Sequence, residues 1–61
     1  MIAKIIDFKR SIRVLFIESD KILSTKECFS PIEADTHLNG VRIGLQLAGK
    51  PDVTDVIYED S

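Results

Sequence analysis

The sequence predicts a mainly β protein: a small five-stranded antiparallel sheet or partly open barrel, in the size range of SH3-like and Sm-like folds, with room for one short helix at 31–38. Three observations predict it. Four breaks, Ser19-Asp20, Ser30-Pro31, Asn39-Gly40 and Gly49-Lys50-Pro51-Asp52, divide the 61 residues into five short segments. Those segments are rich in Ile, Val and Leu, which suit a pleated, half-buried surface. Folded about Asn39-Gly40, residues 32–47 also sort into one apolar and one polar face.

The first element, MIAKIIDF, is read as a strand for its isoleucines, although Ile2, Ile5 and Ile6 also satisfy a helical i, i+3, i+4 spacing. The second, SIRVLFIES, holds the unbroken run Val14-Leu15-Phe16-Ile17, too short for a helix and suited to a strand buried on both faces. A two-residue turn at Ser19-Asp20 then returns the chain. It sets Glu18 against Lys21, Ile17 against Ile22, Phe16 against Leu23 and Val14 against Thr25. Ser-Asp lacks the glycine that two-residue turns prefer.

For the third break, a type I′ turn at Asn39-Gly40 opposes Leu38 to Val41, Thr36 to Ile43, Ala34 to Leu45 and Ile32 to Leu47. Seven of these eight residues are apolar, while the other face collects His37, Arg42, Asp35, Glu33 and Gln46. That split is what a half-buried antiparallel ribbon requires. The competing reading is a short helix: Ser30 as N-cap, Pro31 at its first position, Glu33 reaching back as a capping box, and Asn39-Gly40 as its terminator. The hairpin is preferred, because Asp35 interrupts the apolar stripe of such a helix. Residues 41–48 are expected as a strand in both readings. The last segment, VTDVIY, follows a turn at GKPD and is expected to pair with 41–48.

A chain this short is one domain, 1–61, and hides only about 60% of the surface its unfolded form exposes. Apolar residues make up 44% and charged residues 30%, the balance of a chain that folds. Small cores need help from disulfides, a metal or a second subunit. Cys28 is the single cysteine, so an intrachain disulfide is impossible, and association with another copy or a partner is the remaining aid. A net charge of −2 supplies no general attraction to nucleic acid or anionic membranes. No apolar run reaches the roughly 18 residues of a membrane span, and MIAKIIDFKR has no signal-peptide core or cleavage site. A cytoplasmic setting without membrane contact is the expectation.

Catalysis needs a constellation, and the parts are few. Cys28 and His37 are each unique; the thiol reads as a small apolar filler and the imidazole as a solvated turn residue facing Arg42. The carboxylate pairs Glu33/Asp35, Asp52/Asp55 and Glu59/Asp60 read as solubilising charges. Gly44 to Lys50 is not a phosphate loop, since Pro51 follows Gly49-Lys50 and removes a needed N–H. No enzyme, cofactor or metal site is implied.

Basic residues are unevenly placed. Lys4, Lys9, Arg10 and Arg13 fall near the start, whereas Asp52, Asp55, Glu59 and Asp60 crowd the end. The four basic residues are the candidate contacts to the phosphates of a single-stranded nucleic acid, with Phe8 as a stacking surface. The bland alternative is that they are solvated.

Gly40-Val41-Arg42-Ile43-Gly44, followed by a proline and then by Ile57-Tyr58, resembles the central segment of the carbon storage regulator family, small RNA-binding proteins that form strand-swapped dimers. The resemblance implies a strand at 40–44 and RNA binding. The chain departs from that family at both RNA-contacting ends: MIAKIIDFKR replaces the opening apolar run that ends in arginine, and VTDVIYED lacks the arginine before the acidic pair.

The leading expectation is a small non-enzymatic interaction protein, a regulator or inhibitor, that binds a protein partner through a sheet edge or apolar face and associates with itself. The alternative is a single-stranded RNA or DNA binder using Lys4, Lys9, Arg10 and Arg13.

Overall fold

A computed structural model describes residues 1–61. The order is β1 (Ile2–Asp7), β2 (Ile12–Glu18), β3 (Lys21–Cys28), α1 (Pro31–Leu47) and β4 (Asp55–Asp60). The mainly β class holds, but the sheet has four strands in the order β3-β2-β1-β4, and it is mixed: β4 lies parallel to β1. The five-stranded antiparallel sheet and the barrel are not formed. No helix is long and apolar enough to cross a membrane.

The β2–β3 hairpin follows the expected turn. Ser19 and Asp20 adopt φ of 52° and 64°, so both supply the positive φ that a two-residue turn needs without glycine. Glu18 faces Lys21 and Ile17 faces Ile22. Beyond them the expected register is off by one residue. A bulge makes Leu23 the extra residue, so that Phe16 faces Ser24 and Val14 faces Lys26. The bulge lies in β3 and leaves the alternation of β2 intact, with Phe16 and Val14 on the covered side of the sheet.

The largest correction lies at 31–47, a single helix of 17 residues. The hairpin at Asn39-Gly40 is absent, and the expected strand at 41–48, like the strand implied by the likeness to the carbon storage regulator family, is helical. The physical reason is at the ends. The Ser30 Oγ accepts the Glu33 N–H at 3.1 Å, Pro31 opens the first turn, and the Glu33 carboxylate reaches back to accept the Phe29 N–H at 2.9 Å. The stop is Gly49, with φ of 70°: its N–H donates to the Gln46 carbonyl and the Lys50 N–H to the Leu45 carbonyl, a Schellman motif about two and a half turns beyond the expected Asn39-Gly40 terminator. Two caps outweigh an interior Asn-Gly, which costs only about 1–2 kcal/mol of helix propensity.

With the helix continuous, only Ala34 and Leu38 are buried, helped by half-buried His37, Val41 and Leu45. Ile32, Ile43 and Leu47 face outward. The dry ribbon face expected from 32, 34, 43, 45 and 47 therefore does not exist. The core is Ala3 and Ile5 of β1, Val14 and Phe16 of β2, and Cys28 of β3, closed by Ala34 and Leu38. His37 is not a solvated turn residue. Its ring stands edge-on to Phe16, with centroids 5.8 Å apart. Arg42 instead forks onto Asp52 at 3.0 and 3.2 Å, tying α1 to the loop before β4.

Candidate functional site: the open face of the sheet

Strand side chains alternate faces, so the core residues fix which side of the sheet α1 covers. Ala3, Ile5, Val14, Phe16 and Cys28 point to the helix. Their neighbours point to the other side, against which no element of this chain packs. Three cross-strand rows make up that open face, read from β3 to β4. The first is Ile22, Ile17, Ile2 and Asp55; the second is Thr25, Leu15, Lys4 and Ile57; the third is Glu27, Arg13, Ile6 and Glu59.

Half of those twelve residues are aliphatic: Ile22, Ile17, Ile2 and Leu15 adjoin one another, while Lys4 stands between Leu15 and Ile57, and Arg13 and Glu59 flank Ile6. Leu15 is only 9% exposed although it lies outside the core, because its neighbours on the sheet shield it; Ile22 at 61% and Ile57 at 38% remain in water. The local reason is the VLFI run of β2. A central strand buried on both faces reads as continuous apolar sequence, but here only one of the two faces has a cover.

The predicted nucleic-acid contacts do not converge. Lys4 and Arg13 share the open face, but the Lys4 ammonium is held by the Glu59 carboxylate at 3.1 Å, and the Arg13 guanidinium lies over the Phe8 ring at 5.0 Å. Phe8 thus already has a cation on its face. Lys9 and Arg10 sit apart, in the β1–β2 turn, where Lys9 has a φ of 73° and its N–H donates to the Asp7 carboxylate at 2.7 Å. Lys9 carries the turn; it belongs to no patch.

The other concave feature is a cleft of about 230 Å3 where the start of α1 meets the ends of β1 and β4. Ile5, Ile12 and Tyr58 line its apolar part, and Asp7, Asp35 and Asp60 its polar part. It is smaller than the ~300 Å3 at which ligand pockets begin. No group of three or more His, Cys, Asp or Glu side chains is placed to hold a metal ion.

Cys28 is fully buried, and burial, reinforced by the nearby Glu33 charge, pushes its thiol above the ordinary value. A thiol in that state is packing, as the sequence suggested, rather than a nucleophile. The sequence led to an apolar docking face but not to this one, because 32–47 reads as a ribbon with a dry side of its own. The signal that could have found it was the VLFI run together with a single helix's worth of capping residues. Compared with family models, curated proteins and solved structures, the chain matches none of them.

Proposed function

We propose that this chain is a non-enzymatic interaction module, of the kind used as a regulator or inhibitor, that docks on another protein through the open face of its sheet. The supporting observation is the set Ile2, Ile6, Leu15, Ile17, Ile22 and Ile57, continuous through Ile22, Ile17, Ile2 and Leu15, on a face that no part of the chain covers. An aliphatic surface of that extent, rimmed by charge, is characteristic of protein contacts. Strand addition at the edges has less support. The β4 edge carries Asp55, Glu59 and Asp60, and the β3 edge carries Lys21, Lys26 and the Leu23 bulge, devices that discourage edge pairing.

Single-stranded nucleic acid is the second reading, because Lys4 and Arg13 share this face. Its support is thinner: both cations already have partners, and the three open-face rows contain no aromatic ring.

A photo-crosslinking benzophenone amino acid in place of Ile22, compared with the same group in place of Thr36 on α1, tests the leading reading in cells. Protein adducts from position 22 and not from 36 are expected. Absence of adducts at 22, or equal adducts at both, would overturn it. Filter binding of RNA and DNA oligonucleotides across a salt series tests the alternative, which predicts retention that falls as salt rises.

A further inference from the structure

We infer that the occupant of the open face is a second copy of this chain, giving a two-fold dimer layered helix, sheet, sheet, helix. The inference rests on the docking role proposed above and takes a second copy, rather than a foreign protein, as the partner of that face.

A compact monomer of 6.9 kDa should expose about 4,000 Å2. This chain exposes 4449 Å2, an excess of roughly 450 Å2 over that scaling. The excess follows from shape: the molecule is a slab of 35 × 24 × 15 Å, one helix and one sheet thick. The broad side of that slab has a footprint of at most about 840 Å2, close to the ~800 Å2 per partner buried in a standard stable interface. A standard contact therefore takes in nearly the whole of this side, and a copy of the same slab supplies a surface of matching size.

The open face carries Lys4 and Arg13 against Glu27, Asp55 and Glu59, leaving one net negative charge. Such a face projects no single-signed field toward a strongly charged partner. A two-fold contact, in which a surface meets itself, requires both signs or neither on one patch. The aliphatic residues are continuous through Ile22, Ile17, Ile2 and Leu15, so these can lie against their own copies. Glu27, Asp55 and Glu59 belong to the two edge strands and fall at the rim, in water.

Only eight of 61 residues are buried in the single chain, and seven of the eight residues of β3 are exposed. Two sheets packed about 10 Å apart would make Leu15, Ile17 and Ile2 the middle of a second core. That is the aid a chain of this length, with no disulfide, needs.

Light scattering on the purified full chain reads the outcome. Twice the 6.9 kDa chain mass is expected at micromolar concentration, with a melting temperature that rises with protein concentration. Ile17→Lys should halve the mass and remove the concentration dependence. Because that variant places a charge on a central strand, Ile22→Lys on the exposed edge strand is the second probe, with circular dichroism confirming that it stays folded. A native chain at monomer mass, or a dimer that persists in a folded Ile22→Lys variant yet is broken by Thr36→Lys on the helix, would overturn the inference. A monomer whose position 22 still crosslinks to foreign proteins refutes the self-contact and leaves the docking role. A monomer with no crosslinks removes both.

Discussion

Replacing Gly40 and Gly44 together by alanine is expected to stabilise the protein by about 2 kcal/mol. Both glycines lie inside α1, neither is among the positive-φ residues, and a Cβ at either position would meet no atom within 4 Å. Each therefore carries the full penalty of glycine in an exposed helix interior, about 1 kcal/mol relative to alanine, most of it from the extra freedom glycine has in the unfolded chain. The two added methyls touch little, so the gains should nearly add. In a domain of this size 1 kcal/mol moves the midpoint by about 4–8 °C, so the double variant should melt roughly 8–16 °C higher. Thermal and urea unfolding followed by circular dichroism measure it. The opposite result is the refuting one. A type I′ turn at Asn39-Gly40 needs positive φ at residue 40, and alanine there would lower the midpoint. The same variants also bear on the dimer. If the solution mass fell along with the substitutions, the contact would run over the outer side of α1, and the sheet face would lose its assignment.

Three further predictions follow from the core and the loops. Phe16→Ala, which empties a site 1% exposed and removes the ring against which His37 packs, should cost about 3–5 kcal/mol and leave little cooperative unfolding in a urea titration. The Asp52 carboxyl, held down first by its hydrogen bonds from Arg42 and then by the Val53 N–H, should titrate below the ordinary carboxylate range by NMR, and Arg42→Gln should return it upward. Because its folded value is lowered, the stabilising contribution is complete above the unfolded value and disappears as pH falls through the folded one. Cys28 should react with a thiol reagent at near the rate of global opening in the native protein, and at once in urea; fast native labelling would contradict its burial.

What could be read from the residues was local chemistry with a short reach. The Ser19-Asp20 hairpin and its first two pairs were legible because the turn length fixes the register there, while the bulge at Leu23 was not, because nothing in Ile22-Leu23-Ser24 marks which residue goes unpaired. The capping box at Ser30-Pro31-Glu33 was legible too, and the Glu33 carboxylate does reach back to the start of the helix. It lost to Asn39-Gly40 because period-two alternation from 32 to 47 looked like a ribbon. The alternation is real as sequence. In three dimensions it is split by a 3.6-residue turn, which buries Ala34 and Leu38 and leaves Ile32, Ile43 and Leu47 outside. The partner of β4 was illegible for a different reason: pairing with β1 joins residues more than fifty positions apart, and no local signal reports on that distance.

The open face and the helix are two consequences of one count. A parallel pair such as β1 and β4 needs a crossover of a dozen residues or more between its strands, and that crossover lies on one side of the sheet. This chain has a single helix, spent on that side. A second would be needed to cover the other, as happens in sheets buried on both faces. Yet β2 is apolar on both sides: Val14 and Phe16 meet α1, while Leu15 and Ile17, with Ile2 beside them, face away from it. A strand selected only to stay soluble on its outer side would carry polar residues there, as β3 does at Thr25 and Glu27. The outer aliphatics are unexplained by the monomer's own packing, just as Gly40 and Gly44 are. They differ in kind, however. The glycines cost stability and touch nothing, whereas the isoleucines form a surface large enough to bury, and it is that surface on which a binding role for this chain can be built.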